Sequence, residues 1–120
     1  MTSEFVHLHN HSDYSLLDGA QKIDQLVNTI DDLNMDAVAL TEHGNMFSVL
    51  PYYKQAKKAG IKPIIGCEIY VAVGSRFEKK TRSDGGWGNN HLILLAQNFT
   101  GYKNLMKLVT AGYLEGFYYR

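Results

Sequence analysis

The sequence predicts an α/β fold with a mostly parallel sheet. Two observations support this prediction: short apolar runs alternate along the chain with amphipathic stretches, and polar residues that could bind a ligand follow the apolar runs where strands are expected to end. With 120 residues, the chain has the size of one small domain with a modest core. A closed barrel of parallel strands takes roughly 200 residues or more.

The first half of the chain contains two predicted strands and one predicted helix. Residues 5–8 are predicted to form a short first strand. Residues 23–33 carry apolar side chains at helical spacing, which predicts an amphipathic helix, and Asn34 is a plausible end for it. The buried-strand candidate 37–40 is followed at once by the polar sequence Thr-Glu-His-Gly.

The second half continues the alternation. A helix is expected at 48–59, with Pro51 in its first turn and Gly60 at its end. Strands are expected at 64–73 and 91–96. A third helix is expected at 102–111, where Leu105, Leu108 and Val109 would form the apolar stripe.

Composition excludes some classes of partner. Twelve basic residues balance twelve acidic ones, so no overall positive field favours nucleic acid, and any such contact must be local. The single cysteine, Cys67, excludes an internal disulfide and fits a reducing compartment. No apolar run approaches the roughly 20 residues needed to cross a bilayer, so no membrane partner and a cytoplasmic location are expected.

Six potential metal ligands lie where strands end or loops begin. In His9-Asn10-His11, two imidazoles stand two residues apart, so on an extended chain both point to the same face. A donor set of imidazole and carboxylate suits zinc, manganese or iron. The predicted ligands are His9, His11, Asp18, His43, Glu68 and His91.

Each candidate ligand has an ordinary structural alternative. His43, beside Gly44, could simply lie in a turn. Glu68 stands in an apolar segment where a carboxylate is costly without a positive partner, and the alternative to a metal is a solvated edge or an ion pair. His91 could be a polar strand start, and Asp18 could form an Asx turn before Gly19.

Two further residues compete for ligand roles. His7 would share the face of His9 and His11 if the first strand ran unbroken. Cys67 has a thiol that suits zinc, but neighbours in a strand point to opposite faces, so Cys67 faces away if Glu68 faces the site. We therefore interpret Cys67 as a small core residue.

Several motifs together resemble a known family. Residues 7–19 (HLHNHSDYSLLDG), 41–44 (TEHG) and 66–68 (GCE) resemble the first motifs of the PHP, or polymerase and histidinol phosphatase, superfamily. Residues 60–66 (GIKPIIG), 101–105 (GYKNL) and 113–119 (YLEGFYY) narrow the resemblance to the amino-terminal part of bacterial DNA polymerase III alpha subunits. The resemblance covers essentially the whole chain.

The resemblance implies a fold and a set of site residues. The family fold is a distorted TIM-like barrel of about seven strand–helix units, so residues 1–120 are expected to be a partial PHP domain, the amino-terminal half of such a barrel. The six ligands named above would hold divalent metals, two or three of them in a complete domain, with no catalytic residue separate from the metal ligands. His7, Asp13 and Glu42 are predicted to support those ligands, and the remaining ligands are expected beyond the matched region.

The resemblance also implies a function for the longer protein. It would be a replicative DNA polymerase that uses magnesium, DNA and deoxynucleoside triphosphates and contacts other replicase subunits, including a proofreading exonuclease subunit. The PHP site would be a metal-dependent phosphoesterase that supports 3′-5′ exonuclease proofreading. The alternatives are a stand-alone phosphatase acting on histidinol phosphate or another small phosphoester, and an inactive scaffold that docks a proofreading subunit.

Half a barrel has its own expected behaviour. The chain alone is predicted to have negligible hydrolytic activity, because part of the ligand set is expected elsewhere. An open sheet edge and uncovered apolar faces also predict self-association.

One charged, glycine-rich loop has two interpretations. Its basic residues are Arg76, Lys79, Lys80 and Arg82, and they precede Trp87. Positive charge beside an aromatic ring could contact single-stranded DNA. The favoured interpretation is a solvated loop without such a role.

Overall fold

The computed structural model describes residues 4–78 and 89–117. Within these ranges, the structure has three helices and three strands, followed by one turn of π-helix. The elements in chain order are α1 (Ile23–Asp32), β1 (Ala37–Leu40), α2 (Val49–Lys58), β2 (Lys62–Ala72), β3 (Asn89–Leu95), α3 (Phe99–Ala111) and the π-turn Gly112–Gly116. The α/β class predicted from the sequence is confirmed.

Helix α1 forms because its apolar residues recur on one face. Ile23, Leu26, Val27 and Ile30 are buried, and this spacing matches the helical period. The helix ends where Asn34 takes a left-handed conformation with φ of 54°. The Met35 N–H then donates to the Ile30 carbonyl at 3.0 Å, which satisfies an acceptor at the helix end.

Helix α2 is fixed to β1 by one buried tyrosine. Tyr52 is fully buried, and its hydroxyl donates to the Val38 carbonyl of β1. After α2, Gly60 takes a left-handed conformation with φ of 78°. The Ile61 N–H then donates to the Ala56 carbonyl at 2.9 Å. The core therefore lies between α1, α2 and one face of the sheet.

The sheet has the order β1-β2-β3. β1 and β2 are parallel, as predicted, with Leu40 opposite Ile65. β2 and β3 are antiparallel, with Glu68 opposite Ile93, so the prediction of mostly parallel strands holds only for the first pair. The sequence cannot distinguish these arrangements, because a buried apolar run fits either kind of pairing.

The predicted first strand at 5–8 is wrong as a strand, although the segment lies beside β1. The Ala39 N–H donates to the His7 carbonyl at 2.8 Å, and the Thr41 N–H donates to the Asn10 carbonyl at 2.9 Å. The chain advances three residues from His7 to Asn10 but only two from Ala39 to Thr41, so the two segments cannot form a regular ladder there. The Asn10 N–H instead donates to the Thr41 hydroxyl at 3.0 Å.

Other boundaries agree closely with the prediction. α3 begins three residues earlier than expected, because the Asn98 side chain accepts from the Gly101 N–H at 3.0 Å and caps the helix. The π-turn that follows α3 was not predicted. Among the residues described, no helix has the length and apolar character needed to cross a membrane.

Candidate metal centre

The register of the sheet brings three predicted ligands together. The parallel pairing of β1 and β2 continues beyond β1, so that His43 lies opposite Glu68. On the other side of β2, Tyr70 lies opposite His91. Since β3 runs antiparallel to β2, the amino-terminal part of β3 reaches the carboxyl-terminal part of β2. His91 thus lies diagonally across from Glu68, and its Nδ1 contacts Glu68 Oε1.

The first two histidines reach the same carboxylate from the other side. His9 Nε2 lies 2.6 Å from Glu68 Oε2, and His11 Nε2 lies 2.8 Å from the same oxygen. The two Nε2 atoms are 3.1 Å apart. The predicted spacing of two along an extended segment therefore places both rings on one face.

Asp18 completes a second group around His43. Asp18 Oδ2 lies 2.5 Å from His43 Nε2 and 3.6 Å from His11 Nδ1. His43 Nδ1 in turn lies 3.6 Å from Glu68 Oε1. All six predicted ligands are thus assembled at one place, with Glu68 at the centre.

The central carboxylate is buried and held in its charged form. The Glu68 side chain is 3% exposed. Burial raises the pKa of Glu68. Hydrogen bonds from His9 and His11 and the charges of His43 and His11 lower it by a larger amount, so the pKa lies below its ordinary value. Asp18 shows the same balance: desolvation raises its pKa, while the hydrogen bond and charge of His43 lower it to below the ordinary value.

The donors form three overlapping triads suited to a cation. In each triad, one atom per residue lies within 4.8 Å of the others. Imidazole nitrogens around a buried carboxylate are donors that divalent zinc, manganese and iron accept. The triads are His9–His11–Glu68, His11–Asp18–His43 and His43–Glu68–His91.

Sharing between triads limits how many metals these residues serve alone. His11 and His43 each belong to two triads. A neutral imidazole offers only one lone pair, so it cannot complete two positions at once. These six residues alone therefore cannot complete all three triads at the same time.

Sequence reasoning missed Tyr70, which lines the site. Its ring contacts His91 edge-on at a centroid distance of 4.8 Å and lies parallel to the His43 ring at 6.2 Å. Its hydroxyl is 3.4 Å from His43 Nδ1. The spacing of two from Glu68 along β2 was the available signal, since both side chains must then share a face.

The three residues predicted to support the ligands have different surroundings in the structure. The Glu42 carboxylate is bound by the Ser12, Ser15 and Ser48 hydroxyls, because it points into the protein from the segment after β1. Asp13 is exposed, and its N–H donates to the Gln21 carbonyl at 2.9 Å. His7 is exposed and packs edge-on against Phe5 at 4.7 Å.

Cys67 lies where the alternation of β2 predicts. The thiol is fully buried, and its Sγ lies 3.4 Å from the Glu42 carbonyl. Burial raises its pKa to about 11, so the thiolate form that binds metals is disfavoured.

Of the basic residues predicted to contact DNA, only Arg76 can be placed. Arg76 Nε lies 2.5 Å from Glu115 Oε2 in the π-turn, and its guanidinium lies over the Phe77 ring. Lys79, Lys80 and Arg82 lie outside the described residues.

Comparison with known proteins identifies the family of this site. Residues 7–120 match the model of the PHP domain. The chain belongs to the PHP domain family. Two solved structures share the fold of this PHP chain with a TM-score of 0.56: an amidohydrolase from Chromobacterium violaceum at 22% identity, and a proposed metal-dependent phosphoesterase from Bifidobacterium adolescentis at 14% identity. They cover 92% and 89% of this chain, and it spans 34% of each of them.

The curated relatives of this PHP chain are much longer proteins. It is 59% identical to DNA polymerase III subunit alpha of Borreliella burgdorferi over 98% of its length. Over the full length of this chain, it is 50% identical to the subunit of Aquifex aeolicus. Over 96% of this chain, it is 48% identical to the subunit of Thermus aquaticus. The chain spans 10%, 11% and 10% of these three relatives.

Proposed function

We propose that this chain is the metal-binding part of the PHP domain of a DNA polymerase III alpha subunit, and that its site hydrolyses phosphodiester bonds at the 3′ end of DNA. The contact of four histidines with the one buried Glu68 carboxylate carries the proposal. Such a cluster costs stability unless a cation or a reaction uses it. The polymerase relatives, at up to 59% identity, supply the DNA context.

The candidate ligands fall into two groups that would hold metal. Glu68 presents Oε2 to His9 and His11 and Oε1 to His43 and His91, so these five residues would together hold divalent metal. Asp18 and His43 would hold the outer position, at the half-exposed side of the site. When bound, divalent metals supply a water of lowered pKa and positive charge opposite the phosphoryl oxygens.

Tyr70 is the proposed contact for the substrate. Its ring is half exposed beside His43 and His91, and its hydroxyl lies at the edge of the cluster. Burial, together with the charges of Glu68 and Asp18, raises the pKa of Tyr70, so it remains a neutral donor. The neutral hydroxyl can donate to a phosphoryl oxygen, and the ring face can stack on a base.

The site residues and the longer protein make separate contributions. Because His11 and His43 are shared between triads, the 120-residue chain is expected to show negligible turnover by itself. The proposed polymerase activity, with its magnesium, nucleotides and partner subunits, belongs to the longer protein.

The test is release of nucleotides from 3′-labelled single-stranded DNA by the full-length subunit, after chelation and readdition of zinc or manganese. Metal-dependent release that is lost in Glu68→Gln and retained in Lys103→Ala, a surface change on α3, supports the proposal. Equal release by Glu68→Gln and the unchanged protein contradicts it. A phosphatase of small substrates would instead release phosphate from histidinol phosphate and leave DNA intact.

A further inference from the structure

A buried carboxylate next to the metal centre belongs to none of the three triads. Glu42 is 1% exposed, although it directly precedes His43. Both of its oxygens accept hydrogen bonds: from the Ser12 N–H at 3.1 and 3.3 Å, from the Ser12 and Ser15 hydroxyls, and from the Ser48 hydroxyl at 2.8 Å. Ser12, Ser15 and Ser48 are themselves buried.

All donors to Glu42 are neutral. Among residues 4–78 and 89–117, no Lys, Arg or His side chain forms an ion pair with this carboxylate. A buried carboxylate compensated only by neutral groups is expensive and needs several well-placed donors. The donors here come from two segments, the loop that carries Asp18 and the start of α2.

Ser15 connects this carboxylate to two metal ligands. Its hydroxyl donates to Glu42 and accepts from the His43 N–H at 3.1 Å. Its carbonyl accepts from the Asp18 N–H at 3.1 Å and the Gly19 N–H at 2.8 Å. One residue thus fixes the backbones of both Asp18 and His43.

The loop closes tightly around the same point. A Cβ on Gly19 would lie 1.7 Å from the Ser12 carbonyl oxygen, so only glycine fits there. The Ser15 N–H donates to that carbonyl at 2.9 Å. The loop therefore has little freedom to place Asp18 elsewhere while Glu42 holds its serines.

We infer that Glu42 and Ser15 form a clamp that positions Asp18 and His43 against each other, and so sets the affinity of the outer metal position separately from the position at His9, His11 and Glu68. The first part of this inference concerns the metal-free protein, and the second rests on the proposed function. Glu42 and Ser15 are positioning residues, since neither side chain reaches the ligand atoms.

Ser15→Ala and Ser48→Ala make a matched pair for the test. Each removes one buried hydroxyl that donates to Glu42, but only the Ser15 hydroxyl also accepts from the His43 N–H. In the metal-free protein, amide hydrogen exchange at His43 is expected to rise about tenfold in Ser15→Ala, the effect of one lost hydrogen bond. The Asp18 and Gly19 amides keep the carbonyl of residue 15 as their acceptor, and their exchange is expected to rise because the loop loses its bond to Glu42. In Ser48→Ala, those amides are expected to exchange at the original rate. Equal exchange at these amides in both variants overturns the clamp.

Cobalt(II) titration followed by visible absorption tests the metal part. The part of the signal that Asp18→Ala removes reports the outer position. Ser15→Ala is expected to weaken the cobalt affinity of the outer position about 10- to 100-fold, the usual effect of losing a group that orients a ligand. The affinity reported by the rest of the signal is expected to stay unchanged. Ser15→Ala placed on Asp18→Ala should have no further effect on cobalt binding.

The outcomes separate the clamp from the metal centre. Faster exchange in Ser15→Ala with unchanged cobalt binding overturns the control of affinity. Equal weakening of the whole cobalt signal overturns the separation of the two positions. If the unchanged protein binds no cobalt, the proposed function fails, while the exchange data still decide whether the clamp exists.

Discussion

Gly44→Ala is expected to destabilise the protein and also to disturb the metal centre. Gly44 has φ of 59°, a left-handed conformation that costs residues with a Cβ about 1–2 kcal/mol. With roughly 4 °C for each kcal/mol in a domain of this size, the melting temperature should fall by about 4 to 8 °C. The added Cβ would also lie 3.3 Å from Tyr70 Cε2, closer than an ordinary contact.

The displaced tyrosine provides the link to the site. Tyr70 must shift by a few tenths of an ångström, and its ring and hydroxyl contact His43. We therefore expect Gly44→Ala to weaken metal binding about tenfold, the lower end of the effect of losing a group that orients a ligand.

Gly60→Ala is the matched control. Gly60 also has positive φ, 78°, but an added Cβ there meets nothing within 4 Å. Thermal unfolding in chelator should show similar losses of stability for both variants, and calorimetric titration with zinc should show weaker binding only for Gly44→Ala. Equal zinc affinity in Gly44→Ala and Gly60→Ala would refute the role assigned to Tyr70.

Three further predictions follow from buried groups. In chelator, the stability of the unchanged protein should fall as the pH drops below about 4.5, the ordinary pKa of glutamate. The folded state holds the pKa of Glu68 below that value, so the unfolded state takes up the proton first. Acid unfolding of Glu68→Gln should show a shallower loss of stability, and identical curves for the two proteins would contradict this. Tyr52→Phe should cost about 0.5–1.5 kcal/mol in urea unfolding, because it removes the buried hydrogen bond from the Tyr52 hydroxyl to the Val38 carbonyl. Tyr53→Phe, at an exposed position, should cost much less, and equal costs would count against this prediction. Cys67 should resist a thiol reagent at pH 8 until the protein unfolds, since burial raises its pKa to about 11, and rapid labelling of the folded protein would disprove its placement.

Local pattern was sufficient for most of the elements. The spacing of Ile23, Leu26, Val27 and Ile30 predicted α1 to within one residue at its end, and the predicted strand at 37–40 matches β1. These elements have one buried face or are buried throughout, which leaves a clear signal in sequence. The segment before His9 has no such signal. Two backbone hydrogen bonds hold it beside β1, together with bonds from the Asn10 and Thr41 side chains.

The site was predictable by residue type but not by arrangement. All six predicted ligands meet around Glu68, yet the antiparallel direction of β3, which brings His91 there, is a tertiary property. The contacts of Glu42 are likewise a tertiary property. A carboxylate beside His43 suggested a partner for an imidazole ring, whereas the fold places three serine hydroxyls around it.

The central claim is that the cluster around Glu68 binds divalent metals, and metal binding to the purified chain tests it most directly. The chelator-stripped protein should bind one or more zinc or manganese ions per chain by equilibrium dialysis with elemental analysis. Glu68→Gln, which keeps the shape but removes the charge shared by four histidines, should lose that binding while remaining folded by circular dichroism. Metal uptake by a folded Glu68→Gln protein equal to that of the unchanged chain would contradict the account.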